Sequence, residues 1–416
     1  MTTRGALIGV LLITRLLVAA PPALAADAVV HWNEVATTNM NAANRGPAGI
    51  LDLAKVHLAI HDAVQAFDRE YESYCGDIEN ATGSPAAAVA RAARDVLIAL
   101  LPAAQDAAVE AAYQAYLAAN GLAGNAGLAV GQQAAACILA LRANDGSFPT
   151  PPPTFFGGTE PGQWRPTTPT PTSMVQPWFA SVEPFALKDP SQLTANVGPP
   201  ALTSGHYARD YEEVKAVGSK NSTVRTPEQT DLANFYSEGF LILVPRTLRT
   251  IATAYSRDLG ESARFFALAT MASSDALISA WDSKLTWNFW RPVTAIREGD
   301  NDGNDRTVGD PLWEPFLTTP NYPDYTSGAN NLVSAAMRTA QHVLKSDRLP
   351  FTVESKAPAA IDKLRTYERF SDMCQDVINV RIYQGIHFRF ADEVAFQTGR
   401  RAADWVFSHM LRSRRR

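Results

Sequence analysis

The chain has 416 residues, 46% apolar and 19% charged, so it can bury a large core. A formal charge of −5 at neutral pH leaves no electrostatic footprint for nucleic acid, and the one basic run, RSRRR at 412–416, reads as a solvated tail. Three cysteines without a CxxC pair argue against a thiolate metal site or a disulfide scaffold, and leave room for one disulfide plus one thiol.

Residues 1–25 read as an export signal rather than as structure. Arg4 supplies the positive start, GALIGVLLITRLLVAAPP the apolar run (broken by Arg15), and Ala23-Leu24-Ala25 the small residues of a cleavage site. The expected mature chain begins at Ala26 and is secreted or periplasmic. The run falls short of the ~20 uninterrupted apolar residues that a span needs, so no stable membrane span is expected here or later.

From 26 to 145 helical periodicity dominates. Gly49–Phe67 repeats apolar residues at three- and four-residue steps, Ser84-Pro85 opens a helix running to Leu101, and another covers Leu128 to Asp145. Residues 146–225 are dense in Pro, Thr and Gly and read as a long connection. Its Phe155, Phe156, Trp164 and Trp178 predict that it packs on the surface of the molecule, since a disordered linker is poor in aromatics.

Helices resume over 226–416. Thr226-Pro227-Glu228 opens one, a very long one runs from Glu261 to Trp290 and stops at Pro292, and a polar loop follows. Another helix covers Gly328–Leu344, and a last helical region starts at about Pro358. No β-alternation of comparable length and no 20–50-residue repeat is present. The fold class is all-α, a large helical bundle made of two fused four-helix-type bundles.

Three segments carry the informative polar residues. In the first, KLTWNFWRP, Lys284 and Arg291 lie seven apart; on one helix they would share a face about 10 Å apart along the axis, among Trp287, Phe289 and Trp290. A cation in such surroundings wants an anionic partner. In the second, YPDYTSGANN, Ser327 stands at a helix N-cap whose hydroxyl and following N–H groups suit an oxyanion. In the third, RIYQGIH, Arg381 offers a planar fork and His387 a ring nitrogen, although a straight helix would set them about 120° apart. Three cations, a helix N-terminus and one ligand or nucleophile suit phosphate or vanadate.

These segments, K-x6-R-P, then P-x-Y-P-x-Y-x-S-G, then R-x3-G-x-H, resemble in order and separation the motifs shared by vanadium-dependent haloperoxidases and type-2 phosphatidic acid phosphatases. The likeness covers about Trp281 to Asp392, and the helical first half looks like that of secreted haloperoxidase relatives. The resemblance implies an oxidoreductase that uses bound vanadate, or phosphate in the same site. Lys284, Arg291 and Arg381 would hold the equatorial oxygens, Ser327 and the Gly328 N–H would add hydrogen bonds, and His387 would be the axial ligand to the metal. Tyr322 falls beside the family's halide site; a packing aromatic is the alternative. Hydrogen peroxide, halide and an organic acceptor would be the small-molecule substrates.

Three positions depart from the pattern. Ser-Gly is followed by Ala329 where the family has an acid–base His. Val380 stands where phosphatases have Ser, and Ala391 where they have Asp, with Asp392 one step late and turned by about 100°. The last two favour a haloperoxidase-type site over an acid phosphatase using His387 as nucleophile. The first predicts a slow or altered catalyst, or a non-catalytic oxyanion binder. Asp324, in the same loop, is the candidate replacement proton carrier. Thr203-Ser204-Gly205-His206 spells the expected tripeptide too early in the chain and reads as a loop or helix start. His57 and His61, four apart, read as a packed helix face, and DNDGNDRTVGD lacks the glycine position and closing Glu of a calcium loop.

Overall fold

A computed structural model describes residues 27–167, 172–194 and 197–414. The expected export signal therefore lies outside the described residues. The first half comprises α1 (Ala28–Ala42), α2 (Gly49–Asp68), α3 (Pro85–Leu100), α4 (Asp106–Asn120) and α5 (Gly127–Leu141). After the connection come α6 (Gly205–Val217), α7 (Pro227–Phe235), α8 (Phe240–Tyr255), α9 (Leu259–Trp287) and α10 (Pro292–Arg297). The chain then forms α11 (Gly328–Leu344), β1 (Phe351–Glu354), β2 (Leu364–Tyr367), α12 (Phe370–Tyr383) and α13 (Arg389–His409). The all-α reading holds.

Two helical groups meet along α9. On one side α2 packs on α3 and α5; on the other α9, α11, α12 and α13 pack together, and α2 lies directly against α9. Small residues set the spacing. A Cβ on Gly127 would come within 2.2 Å of the Ser84 carbonyl oxygen, and one on Gly131 within 2.2 Å of that of Ala88, so α3 and α5 touch backbone to backbone. Cys75, after α2, is joined to Cys137 on α5, leaving Cys374 as a buried thiol. Helix α9 starts at an Asp258 cap whose side chain accepts from Glu261 N, and is buried almost throughout from Gly260 to Lys284.

The connection is held by named contacts. Buried Asp275 of α9 accepts from the backbone N–H groups of Phe185, Ala186 and Leu187 at 2.6, 2.8 and 3.0 Å. Trp164 and Phe179 are fully buried, and Phe179 packs on Trp281 of α9. The expected helical region from Pro358 is corrected: 351–367 instead folds back as an antiparallel hairpin, Phe351 opposite Tyr367, and the helix begins at Phe370. The strands are four residues each and alternate only twice, too short a signal to compete with helix periodicity.

Candidate functional site

The site is assembled on the loop that precedes α11. Fully buried Lys284, in the last turn of α9, donates to the carbonyl oxygens of Pro323, Asp324 and Thr326 at 2.8, 3.1 and 2.7 Å. All three ammonium hydrogens are thereby used on one loop. Burial, then the neighbouring Arg291 charge, drives its pKa well below the ordinary lysine value.

Lys284 and Arg291 do not project from one helix, as their spacing suggested. Helix α9 ends at Trp287, Asn288 turns left-handed (φ 43°), Phe289 forms a bridge with Gln163, and Arg291 becomes the extended cap before Pro292. This bend brings the fully buried guanidinium back over the loop. Nε donates to the Tyr322 carbonyl at 2.8 Å and Nη1 to that of Ile386 at 2.6 Å, while Nη1 also lies 3.0 Å from His387 Nε2. Nη2 is buried with no hydrogen-bond partner.

The third segment is also bent. Helix α12 ends at Tyr383, and Gly385 takes a positive φ of 75°, where a Cβ would strike the Gly218 carbonyl oxygen at 2.2 Å. Only glycine fits that turn. It frees His387 from the helical angle to Arg381. Arg381 Nη1 donates to Gln384 Oε1 at 2.7 Å, Gln384 is itself anchored on the Ala233 carbonyl, and Arg381 Nε is buried without a partner.

His387 is 1% exposed, with Nδ1 2.8 Å from Asp324 Oδ1; the same oxygen is 3.5 Å from Arg291 Nη1. Burial and the charges of Arg291, Arg381 and Lys284 lower the His387 pKa well below its usual value, so the ring is neutral. Burial raises the Asp324 carboxyl to about 7 against the pull of Arg291 and Lys284.

Ser327 caps α11 by backbone conformation alone; its hydroxyl makes no capping bond. It faces Asp392, which also accepts from Asn330 Nδ2 at 2.8 Å and whose pKa burial raises well above the carboxylate range. Gly328 and Ala329 open the helix, leaving its first N–H groups without intrahelical partners. Tyr322 packs at a tilt against Trp281, and its ring centroid lies 5.0 Å from Lys284 Nζ and 4.8 Å from the Arg291 guanidinium carbon.

A cavity of about 430 Å³ reaches this cluster. Tyr322, Gly328, Ala329 and Arg381 line it, together with Trp281 and Leu277 of α9. Met40, Ile50 and Leu53 of α1 and α2, and Phe240 and Leu241 of α8, complete its largely apolar wall. Of the expected residues, Tyr322, Gly328 and Arg381 line the cavity, Ser327 lies on the loop, Lys284 and Arg291 bond to the loop's carbonyls, and His387 contacts Asp324 in it. The contact of Asp324 with His387 and that of Asp392 with Asn330 were not foreseen. Asp324 was noticed only as a proton carrier, and Asp392 was set aside for its position on a straight helix; neither spacing encodes a cross-loop contact.

The decoys resolve simply. His206 follows the Ser204 cap of α6 and is largely exposed, 3.5 Å from Asp210. His57 Nε2 sits 2.8 Å from Asn33 Nδ2 and His61 Nε2 3.1 Å from the Glu72 carbonyl; burial lowers their pKa to about 3 and about 4. Among the described residues no group of three or more His, Cys, Asp or Glu is placed to hold a metal ion. The donor set on the loop is of another kind. Unpartnered Arg291 Nη2 and Arg381 Nε, the open N–H groups of α11 and a neutral imidazole fit a tetrahedral or trigonal oxyanion such as vanadate or phosphate.

Residues 264–416 match the family model described as the VCPO second helical-bundle domain. The vanadium chloroperoxidase of Curvularia inaequalis is 31% identical over 179 residues, a match covering 36% of this chain and only 28% of that protein. Among solved structures, a bacterial vanadium-dependent iodoperoxidase superposes with a TM-score of 0.78 at 23% identity, covering 93% of this chain and 97% of the other. A bacterial vanadium-dependent chloroperoxidase does so with a TM-score of 0.70 at 18% identity, covering 86% and 90%.

Proposed function

We propose, from the match of residues 264–416 to the VCPO second helical-bundle domain and from the donor set described above, that this protein binds vanadate and oxidises halide with hydrogen peroxide. One observation carries the reading. Arg381 and the open N-terminus of α11 line one cavity, and buried Arg291, with its unpartnered N–H, and His387 lie just behind Tyr322 and Ile386 of its wall. Bound vanadate would supply Lewis acidity that activates peroxide toward halide.

The residues of the chain have distinct tasks in this reading. Arg291 and Arg381 offset the oxyanion's charge through Nη2 and Nε, the atoms that nothing else satisfies. Lys284 fixes the loop through its three carbonyl bonds, and an oxyanion oxygen would exchange for one of them. The Gly328 N–H and Ser327 hydroxyl would supply hydrogen bonds at the helix start, and His387 Nε2 would be the nitrogen that binds the oxyanion. Tyr322 and Trp281 shape the apolar side where halide and organic acceptor approach.

Proton transfer is the weak point. Ala329 lines the cavity without a titratable group, and the carboxyls nearest the loop, Asp324 and Asp392, are both buried. A slow catalyst follows, since general acid–base help is worth ~10²–10⁴-fold. The test is to saturate the purified protein with vanadate and follow bromination of a phenol by peroxide. Failure to bind vanadate at micromolar concentration would end the proposal.

A further inference from the structure

Asp324 sits in the one loop that Lys284 grips. Its N–H donates to the Phe289 carbonyl at 2.9 Å, and its own carbonyl accepts from Lys284 Nζ at 3.1 Å. Both sides of the residue are therefore fixed, and its fully buried carboxylate has little freedom. Oδ1 lies 2.8 Å from His387 Nδ1, and neither carboxylate oxygen has an aligned hydrogen-bond donor as the loop stands. Arg291 Nη1 lies 3.0 Å from Nε2 and 3.4 Å from Nδ1, so the ring's nearer nitrogen to it is Nε2. An arginine can only donate; the nearer nitrogen, Nε2, takes that bond with its lone pair, which leaves the ring proton on Nδ1, beside the Asp324 carboxyl at 2.8 Å. The other carboxylate is committed elsewhere: Asp392 faces Ser327 and accepts from Asn330.

We infer that Asp324 is the positioning residue for His387, holding the Nδ1–H tautomer and the ring angle that aim Nε2 at the oxyanion. Ala391 provides no carboxylate on α13, the helix that follows the histidine, and the loop before α11 delivers one instead. Carboxylates behind a ligating imidazole fix its orientation and raise its basicity, and their loss costs ~10–100-fold in affinity for the ligand. Contacts of this kind are commonly loose before the ligand arrives and tighten once it is bound.

The rival is a counter-charge with no directional role, because Asp324 also lies 3.5 Å from Arg291. The two make opposite predictions. For a positioning residue, Asp324→Ala weakens vanadate, whose bond to Nε2 needs the ring aimed, by ~10–100-fold. Inorganic phosphate, held by the cations alone, keeps or gains affinity. Asp324→Asn, whose amide oxygen still accepts from Nδ1–H, recovers most of the vanadate loss. For a counter-charge, both variants bind both anions more tightly.

The experiment is isothermal titration of wild type, Asp324→Ala and Asp324→Asn with vanadate and with phosphate. It is paired with ¹⁵N NMR of the imidazoles in protein free of either anion. The expected spectrum shows His387 as a single Nδ1–H tautomer in wild type and Asp324→Asn, and mixed in Asp324→Ala. Tighter vanadate binding by Asp324→Ala, or an Nε2–H ring in wild type, would overturn the inference. The binding arm rests on the oxyanion reading above, whereas the NMR arm does not. A wild type that binds neither anion yet shows the Nδ1–H ring refutes only the former. If Asp324→Ala does not fold, Asp324→Asn still separates a retained tautomer from a uniform gain in anion affinity.

Discussion

Restoring an imidazole at Ala329 is the sharpest probe of what the site lacks. Ala329 is the second residue of α11, half-buried on the cavity wall beside Gly328 and Tyr322 and across from Arg381. A histidine there extends into the cavity of about 430 Å³ rather than into the core, so folding should tolerate it. Three features act on its charge. A helix N-terminus disfavours an imidazolium by about 0.3–1 kcal/mol, and buried Arg291 and Arg381 repel it further. The introduced ring is therefore neutral near pH 7 and able to accept a proton. If proton transfer limits turnover, Ala329→His raises kcat by ~10²–10⁴-fold. That corresponds to about 2.7–5.5 kcal/mol of barrier. The assay is steady-state bromination of a phenol at saturating vanadate, with vanadate affinity measured alongside. Equal affinity and an unchanged kcat would refute the reasoning, and would mean that Asp324, Asp392 or solvent already moves the proton.

Other parts of the structure make independent predictions. Lys284→Met leaves three loop carbonyls without their donor and should cost about 3–5 kcal/mol, with amide exchange accelerated first at 322–327. An exchange pattern that is faster elsewhere but not in that loop would count against the clamp. Reducing Cys75–Cys137, which closes a 62-residue separation, should lower unfolding free energy by about 2–4 kcal/mol in denaturant titrations. An unchanged midpoint would show that α5 is held without it. Asp275 has its pKa raised by burial from 3.8 to about 6, so its contribution to stability is full below pH 3.8 and is lost as pH rises through about 6. The difference in melting temperature between wild type and Asp275→Asn should accordingly shrink across that window; a constant difference would contradict the assignment.

Much of this was legible in the sequence because helices announce themselves over many residues. Gly49–Phe67 and Gly328–Leu344 were read to within a residue of α2 and α11, each being long and periodic. The β1–β2 hairpin was not, since four-residue strands carry almost no period. The oxyanion residues were found by type and order, but their geometry was misjudged for one reason. Lys284 with Arg291, and Arg381 with His387, were placed on straight helices, whereas Asn288 and Gly385 break the chain between the members of each pair. Those breaks converge the side chains. The role of Asp324 was illegible because it depends on a neighbour 63 positions away, a contact created by the fold and written in no local pattern.

The cavity walls point to a separation of powers between the region that matches the family domain and the helices that precede it. The groups that would handle the oxyanion all come from 284 onward, inside the region that matches the family domain, whereas α1, α2 and α8 furnish much of the passage leading to them. Substitutions at Met40, Leu53 or Leu241 can therefore retune which molecules arrive without disturbing the chemistry awaiting them. A protein cut back to the family domain would retain its reagents and lose its doorway. Selection, or an engineer, has in α1, α2 and α8 a dial for selectivity that turns independently of the reaction.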